Sequence, residues 1–377
     1  MIAQTGDIIV QAFASRFGGR PRLFAAPGRI NIIGEHTDYS EGFVMPAAID
    51  RRCIVAMAKN DSDIIRVVTL GRNEEAQIAP GFTRTGGWID YVAGVRASLR
   101  NAGIFVPGCD LVIHSDVPEG AGVSSSAALE VAAMTAMLAA AEVAASPVDV
   151  ALWAQAAEVR YVGMPCGIMD QFIAANGVAG HALVLDCRSL THELVGLPDD
   201  VAFLVIDSTV RHRLVDGGYA ARRADCETAA ALLGIPALRD ANTAMLTTSA
   251  LPERAARRAR HVVNENARVR SLADALSAGN IPEVGRLMNA SHASLRDDFD
   301  VTCTETDVLT SIASQTTGVH GARQMGGGFG GAVLALVEAG AEDRASRSIL
   351  DTYRARTGLT ASSFVCRTAN GASEITS

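Results

Sequence analysis

The first group of residues that could carry out chemistry lies in segment 26–39, which reads Ala-Pro-Gly-Arg-Ile-Asn-Ile-Ile-Gly-Glu-His-Thr-Asp-Tyr. An apolar, strand-like run ends at a glycine and is followed closely by Glu35, His36 and Asp38. Such a cluster of donors and acceptors could bind a hydroxylated ligand or a metal ion, whereas the simpler alternative is a polar turn. The cationic Arg29, six residues before Glu35, favours a ligand site.

A second candidate is segment 116–130, which reads Asp-Val-Pro-Glu-Gly-Ala-Gly-Val-Ser-Ser-Ser-Ala-Ala-Leu-Glu. A predicted strand leads into a glycine-rich loop and then into a long predicted helix. Free N–H groups and the positive end of the helix dipole bind phosphate at such a junction. A serine in the first turn could also coordinate Mg²⁺. The alternative is a helix with an ordinary serine cap after a glycine turn.

The third candidate is segment 326–331, Gly-Gly-Gly-Phe-Gly-Gly, which matches the dinucleotide fingerprint G-x-G-x-x-G letter by letter. That fingerprint must open a helix, but residues 332–337 are typical of a strand, so we reject the dinucleotide interpretation. Five glycines in six residues indicate positive φ angles or close packing, either against a ligand or against another stretch of backbone.

Two isolated carboxylates complete the set of candidates. Glu158 is expected in the last turn of its helix, where a negative charge opposes the helix dipole. It is therefore either a metal ligand or a surface glutamate. Asp170 is expected at the start of a helix, where aspartate is favoured as a cap, so a structural role and a catalytic role both remain open.

The elements that would position these residues are a mixture of strands and helices. Strand patterns cover 110–116, 201–207 and 332–337, and helix patterns cover 124–145, 146–162, 218–233 and 254–277. Ser146 and Pro147 form a helix start with a serine cap. The order is not a regular β–α repeat, so we expect an α+β fold. A change of character near residue 185 predicts two domains, 1–185 and 186–377.

Composition excludes several classes of protein. The chain has 377 residues and a formal net charge of −8, so nucleic acid is not an expected partner. Lys59 is the only lysine, and its surroundings do not match a Walker A phosphate loop. Seven cysteines without a Cys-x-x-Cys motif predict a reduced cytoplasmic protein. No signal peptide is expected, and the Ala-rich stretch 127–145 is expected to be a buried helix and not a membrane span.

Three blocks of sequence resemble the galactokinases, a family within the GHMP kinase superfamily. They are 28–39, 165–172 (Pro-Cys-Gly-Ile-Met-Asp-Gln-Phe) and 289–298 (Asn-Ala-Ser-His-Ala-Ser-Leu-Arg-Asp-Asp). The resemblance runs from about residue 23 to residue 337. It implies a two-domain α+β fold with the active site in the cleft between the domains. It also implies transfer of the ATP γ-phosphoryl group to the C1 hydroxyl of α-D-galactose, the first committed step of the Leloir pathway.

The resemblance implies a role for individual residues. The sugar site would consist of Arg29, Glu35, His36, Asp38, Gly167, Asp170 and Tyr219. The ATP loop would consist of Gly120, Ala121, Gly122, Val123, Ser124, Ser125 and Ser126, and the Mg²⁺ ligands would be Ser126 and Glu158. Asp170 would be the catalytic base, with Arg29 as its cationic neighbour. The expected partners are galactose and ATP, and the expected state is a monomer.

Elementary chemistry agrees with these roles, because a sugar hydroxyl is a weak nucleophile and needs a positioned carboxylate to accept its proton. A nearby arginine favours the ionised carboxylate and stabilises charge on the phosphoryl oxygens. Two rivals remain at this point. An N-acetylgalactosamine kinase would share all three motifs, and a galactose-sensing regulator would bind the same ligands without turnover. The uninterrupted Ser124–Ala128 run and the presence of Asp170 favour an enzyme.

Overall fold

The computed structural model describes residues 2–211 and 215–376, and the strands within these ranges form two sheets. In chain order the strands are β1 Arg22–Ile33, β2 Phe43–Lys59, β3 Ile65–Thr69, β4 Glu74–Ile78, β5 Cys109–Ser115, β6 His181–Asp186, β7 His192–Gly196, β8 Val201–Arg211, β9 Val319–Met325, β10 Gly330–Glu338, β11 Ser362–Cys366 and β12 Ser373–Ile375. The first sheet has the order β12-β1-β2-β5-β3-β4, with β6 on β2 and β7 on β6, and the second has the order β11-β8-β10-β9.

The helices occupy the connections between these strands. They are α1 Ile2–Phe17, α2 Ile89–Asn101, α3 Ser125–Ala141, α4 Pro147–Ala156, α5 Met169–Asn176, α6 Val215–Leu233, α7 Thr243–Thr248, α8 Glu253–Ser277, α9 Ile281–Ser294, α10 Thr304–Gln315 and α11 Glu342–Thr357. Two π-helical segments follow α4 and α9, at Ala157–Val162 and Leu295–Phe299. Within the described residues no helix is long and apolar enough to cross a membrane.

Burial explains why β1 is almost entirely apolar. Every residue of β1 after Arg22 is buried, because the strand lies between β12 and β2 and is covered by α3. The small side chains of α3 let the helix approach the sheet closely, and its alanines from Ala127 to Ala140, apart from the partly buried Ala139, are almost completely buried. The expectation of a buried Ala-rich helix over 127–145 is confirmed as far as Ala141, where α3 ends.

The mixture of sheets and helices confirms the α+β class. The three predicted strands correspond to β5, β8 and β10, and the four predicted helices correspond to α3, α4, α6 and α8. The helix expected over 146–162 changes from α to π geometry after Ala156, which places Glu158 in the π-helical turn. The domain boundary near residue 185 stays a prediction. The pairing of β6 with β2 keeps residues 181–186 in the first sheet, and β8 begins the second.

Candidate active site

All seven residues of the predicted sugar site line one cavity of about 190 Å³. They come from four separate parts of the chain: Arg29 from β1, the loop after β1 with Glu35, His36 and Asp38, the turn and start of α5 with Gly167 and Asp170, and Tyr219 from α6. The fold therefore brings together residues that are up to 190 positions apart, from Arg29 to Tyr219.

The Arg29 guanidinium and the Asp170 carboxylate form a two-pronged ion pair in this cavity. Arg29 Nε donates to Asp170 Oδ1 at 2.8 Å, and Nη2 donates to Oδ2 at 3.0 Å. The Ser124 hydroxyl donates to Oδ2 as well, at 2.5 Å. An ionised carboxylate can accept about four hydrogen bonds. The side chain of Asp170 is 29% exposed, which leaves it free to accept one more from a ligand in the cavity.

Asp38 and Gly167 fit together so closely that the glycine is required. A Cβ atom on Gly167 would lie 1.9 Å from Asp38 Oδ2 and 2.8 Å from Asp38 Cβ, so any larger residue would displace the Asp38 side chain. Burial, together with the charge of Asp170, raises the pKa of Asp38 from 3.8 to about 7. Asp38 is thus poised between its charged and neutral forms near neutral pH.

His36 lines the cavity and has one ring nitrogen without a hydrogen-bond partner among the described residues. Burial lowers the pKa of His36 to about 3, with the positive charges around it adding to the effect, so the imidazole is neutral. Its Nδ1 lies 2.9 Å from the Tyr39 hydroxyl, and its ring packs 5.4 Å from the Tyr219 ring. Its Nε2 is buried and has no hydrogen-bond partner among the described residues. A buried nitrogen of this kind needs a polar partner, which a ligand would supply.

Glu35 is held more tightly than its neighbours. Its Oε1 accepts from the Gly326 N–H at 2.7 Å, and its Oε2 accepts from Asn31 Nδ2 at 2.8 Å and Arg323 Nη2 at 2.7 Å. The residue is 3% exposed. Glu35 therefore joins segment 26–39 to β9 and to the third glycine motif, segment 326–331.

The predicted phosphate loop precedes α3 and is fixed to β1. The Arg29 N–H donates to Val123 O at 3.1 Å, and the Arg29 guanidinium donates to Gly122 O. Gly120, Gly122 and Ser124 all have φ near +60° to +71°. The alternative of an ordinary serine cap is wrong for Ser124, which occupies the N-cap position but makes no capping hydrogen bond because its hydroxyl donates to Asp170. The N–H groups at the start of α3 are consequently available to an anion.

The third glycine motif packs against the phosphate loop. A Cβ atom on Gly326 would lie 3.0 Å from Gly122 Cα, and one on Gly122 would lie 3.0 Å from Met325 O. The segment then enters strand β10 at Gly330, which confirms that it does not open a helix. The structure shows the contact with another stretch of backbone, and Gly326 and Gly327 also line the sugar cavity, so ligand contact stays a prediction.

The predicted metal ligands Ser126 and Glu158 lie close together, and the Ser126 hydroxyl acts to lower the pKa of Glu158, although burial and the charge of Asp170 raise that pKa overall. Glu158 is 6% exposed, so the alternative of a surface glutamate is wrong. Among the described residues no group of three or more His, Cys, Asp or Glu side chains could hold a metal ion by itself.

Sequence reasoning missed two residues beside Glu158. Gln171 Nε2 donates to Glu158 at 2.5 Å and to Glu130 at 3.0 Å, and Glu130 Oε1 is buried without a partner among the described side chains. Burial and the charge of Glu158 hold the pKa of Glu130 well above its ordinary value. In the sequence Glu130 is only the last residue of the second candidate segment, and nothing marked it as a neighbour of Glu158.

A second cavity, of about 470 Å³, continues from the phosphate loop along the first sheet. Gly120, Ser125 and Ser126 line one part of it, and the aromatic side chains of Trp88 and Tyr91 line another. Sequence reasoning also missed these two aromatic residues. A cavity that joins free helix N–H groups to aromatic surface has the chemistry to hold a nucleotide, with phosphates at one end and a flat base at the other.

Comparison with known protein families gives three matches along the chain. Residues 11–59 match the galactokinase galactose-binding signature. Residues 90–178 match the GHMP kinases N terminal domain, and residues 272–355 match the GHMP kinases C terminal domain. The first match contains segment 26–39, and the second contains the phosphate loop and Asp170.

Curated relatives and solved structures agree with these matches. The chain is 43% identical to a galactokinase of Chloroflexus aggregans, over 97% of this chain and 96% of the relative, and 44% identical to one of Chloroflexus aurantiacus, over 96% of each. The crystal structure of Lactococcus lactis galactokinase complexed with galactose superposes with a TM-score of 0.95 at 29% identity, covering 98% of this chain and all of that one. Mevalonate kinase of Methanococcus jannaschii, at 16% identity and a TM-score of 0.67 over 93% of this chain and 99% of that one, shares the fold.

Proposed function

This chain belongs to the galactokinase family of the GHMP kinases, and from that premise we propose how its residues phosphorylate α-D-galactose at the C1 hydroxyl with ATP. The family and the enzyme class rest on relatives that match nearly the whole chain. The proposal concerns the roles of the individual side chains. The observation that carries it is the single cavity in which all seven predicted sugar-site residues meet beside the phosphate loop.

Asp170 is the general base of the proposed reaction. Its carboxylate faces the cavity with one acceptor position left after Arg29 and Ser124 have taken theirs. A C1 hydroxyl placed at that position gives up its proton to Asp170 as the oxygen attacks the γ-phosphorus of ATP, while the bond from that phosphorus to the β,γ-bridging oxygen breaks and ADP leaves. Arg29, held by Gly122 O and by Asp170, carries its positive charge where negative charge gathers on the transferred group.

His36 and Asp38 recognise the sugar in this proposal. Neutral His36 offers Nε2 to a hydroxyl, and Asp38 beside Gly167 accepts from another. A site built for a particular hydroxyl rejects an analogue that lacks it there, because its own polar atoms stay unpaired. Glucose, the 4-epimer of galactose, should therefore be a very poor substrate.

The residues around Glu158 fit a Mg²⁺ ion bound together with ATP. Ser126 and Glu158 present two neighbouring oxygens, and Glu130 adds a buried carboxyl oxygen with no hydrogen-bond partner among the described residues, which supports a cation site here. When bound, Mg²⁺ would neutralise charge on the β- and γ-phosphates. Gln171 keeps Glu158 oriented by donating to it.

Replacement of Glu158 tests this assignment. Glu158→Gln should lose most turnover at low Mg²⁺, and excess Mg²⁺ should restore part of it, because the variant keeps the shape of the site but loses a charged ligand. Turnover is measured over a range of Mg²⁺ concentrations at saturating galactose. A wild-type rate at low Mg²⁺ would remove Glu158 from the metal site.

We also propose a cytoplasmic location. All seven cysteines are free thiols, which supports a reducing compartment. The monomeric state stays a prediction that light scattering would test.

The function is tested by a coupled ADP-release assay with Mg²⁺-ATP and a panel of monosaccharides. We expect turnover with galactose and very little with glucose. N-acetylgalactosamine in the panel distinguishes the rival kinase. Absence of turnover with galactose, together with retained galactose binding, would indicate the sensor instead.

A further inference from the structure

Helix α8 has two fully buried polar side chains on the face that meets the sugar-binding loop. His261 and Glu265 are both 0% exposed and four residues apart, so they project from the same side of the helix. The loop between β1 and β2 that they meet contains Glu35, His36 and Asp38. Neither α8 residue lines the sugar cavity.

Glu265 holds the start of that loop by its backbone. Its Oε1 accepts from the Gly34 N–H at 3.0 Å and from the Ser291 hydroxyl at 2.6 Å. Its Oε2 accepts from Arg268 Nε at 2.6 Å, which compensates the buried charge. The pKa of Glu265 lies at about 2, because the positive charges around it outweigh the effect of burial. Glu265 is thus a fixed, ionised acceptor.

His261 holds the next peptide group. Its Nε2 lies 3.0 Å from the Glu35 carbonyl oxygen, and its Nδ1 lies 2.9 Å from the Ser294 hydroxyl. A carbonyl oxygen can only accept, so Nε2 must carry the proton. Burial lowers the pKa of His261 to about 4, so the ring is neutral and Nδ1 accepts from Ser294, whose oxygen also lies 3.3 Å from Asp298 Oδ2. The ring also packs against Phe299, with centroids 4.5 Å apart, and Phe299 in turn packs 4.9 Å from the His36 ring.

These two contacts bracket a strained turn. Gly34 has φ +96°, and His36 has φ +60°, in the left-handed region that a residue with a side chain seldom adopts. Such a conformation persists only when its surroundings hold it. The Glu35–His36 peptide group, whose carbonyl His261 binds, sets the direction in which the His36 ring leaves the backbone.

We propose that His261, with Glu265 supporting it one turn away, is a positioning residue for galactose: it fixes the left-handed backbone at His36 so that His36 Nε2 faces the sugar. The inference rests on the proposed function and extends it from the cavity to a helix that does not touch the sugar. It predicts a specific loss of sugar affinity when the Nε2 donor is removed, while the nucleotide site is unaffected.

The test compares three variants by steady-state kinetics, with ATP-analogue binding as the control for folding. His261→Gln keeps a donor near the position of Nε2, and His261→Asn keeps one only near Nδ1. Ser294→Ala removes the other hydrogen bond of His261 and leaves the contact with Glu35 in place. We expect the galactose KM of His261→Asn to rise about tenfold, comparable to losing one net hydrogen bond to the sugar, with the ATP KM unchanged.

Rescue separates positioning from general destabilisation. His261→Gln and Ser294→Ala should keep the galactose KM within about threefold of wild type. The glutamine amide can still donate to the Glu35 carbonyl, and Ser294→Ala leaves the His261 Nε2 donor in place. An unchanged galactose KM in His261→Asn, or equal rises in the KM for galactose and ATP in all three variants, would overturn the proposal. Because wild-type turnover with galactose is measured alongside, failure of the proposed function itself would be seen separately.

Discussion

At the scale of single residues, the site depends on side chains that serve two purposes at once. Arg29 pairs with Asp170 and also binds Gly122 O in the phosphate loop. Ser124 belongs to that loop, yet its hydroxyl donates to the same carboxylate. Direct hydrogen bonds therefore fix the position of the proposed base, Asp170, relative to the phosphate loop. A change at either should affect chemistry more than ligand binding.

Asp170→Asn should lower kcat by about 10²–10⁴ and leave nucleotide binding nearly unchanged. Asparagine has the same size and can still hydrogen-bond the sugar, but it cannot accept the C1 hydroxyl proton. The kcat and the galactose KM are measured separately, with ATP-analogue binding as the control for folding. A variant that kept substantial kcat and mainly raised the galactose KM would show that Asp170 only orients the sugar.

Asp38→Asn should make the protein more stable at pH 8 than at pH 5, relative to wild type. The pKa of Asp38 is raised from 3.8 to about 7, so between these values the folded state holds a proton that the unfolded state has lost. The stability of the wild type consequently falls as pH rises through this window. The relative gain of the variant should be about 1–2 kcal/mol, less than the full shift gives, because the cavity admits solvent.

Urea unfolding at the two pH values measures this difference. Asp199→Asn, at an exposed position, is the matched control for replacing an aspartate with asparagine. The same Asp38 variant should bind galactose more weakly, since the site loses an acceptor for a sugar hydroxyl. A variant whose gain is the same at both pH values would contradict the assigned titration.

At the scale of elements, the sequence predicted helices and strands well, because interactions that start and end them, such as helix caps, involve residues only a few positions apart. Ser146 accepts from the Asp149 N–H and Pro147 follows it, as the sequence pattern required. Ser124 carries a similar signal, but its hydroxyl binds Asp170, 46 residues away, which no local pattern reveals.

The same limit applies to Glu158 and Glu130. The sequence placed Glu158 in the last turn of an α-helix, whereas the chain forms a π-helical turn there and buries the side chain. Such turns are frequent at functional sites but have no distinct sequence pattern. Glu130 became part of the site only because α3 packs beside α5, which carries Gln171. The cluster thus depends on tertiary packing that single-sequence periodicity does not contain.

Gly326→Ala tests the contact between the two glycine loops. Gly326 has φ +90°, and its Cβ would lie 3.0 Å from Gly122 Cα. We expect a loss of about 2–3 kcal/mol in the free energy of unfolding and weaker ATP-analogue binding, because the phosphate loop must shift.

Gly340→Ala is the matched control, since Gly340 has φ +85° and open space around it. It should lose only about 1 kcal/mol and leave nucleotide binding unchanged. Equal effects of the two variants would mean that backbone conformation alone, and not the loop contact, requires Gly326.

At the scale of the whole molecule, the two sheets are joined through buried polar groups as well as apolar packing. Arg323 lies on β9 of the second sheet. It donates to the Asn31 carbonyl oxygen on β1 of the first sheet and to the Glu35 carboxylate in the loop that follows β1. Glu35 also accepts from the Gly326 N–H. We infer that this connection sets the relation between the sugar loop and the third glycine motif, and that the site is assembled only when the two sheets are docked.

A double-mutant cycle on Arg323 and Glu35 tests that connection. Their side chains are 0% and 5% exposed, so removing either partner leaves the other charge buried. Arg323→Met should therefore lower the free energy of unfolding by about 3–5 kcal/mol, and Glu35→Gln by a similar amount. The double variant should lose less than the sum by about 2 kcal/mol or more, because no charge is left unpaired. Urea unfolding followed by circular dichroism gives the four free energies, and galactose binding is measured on each variant that remains folded. Losses that add to within about 0.5 kcal/mol would show that the two side chains act independently and that this ion pair does not join the sheets.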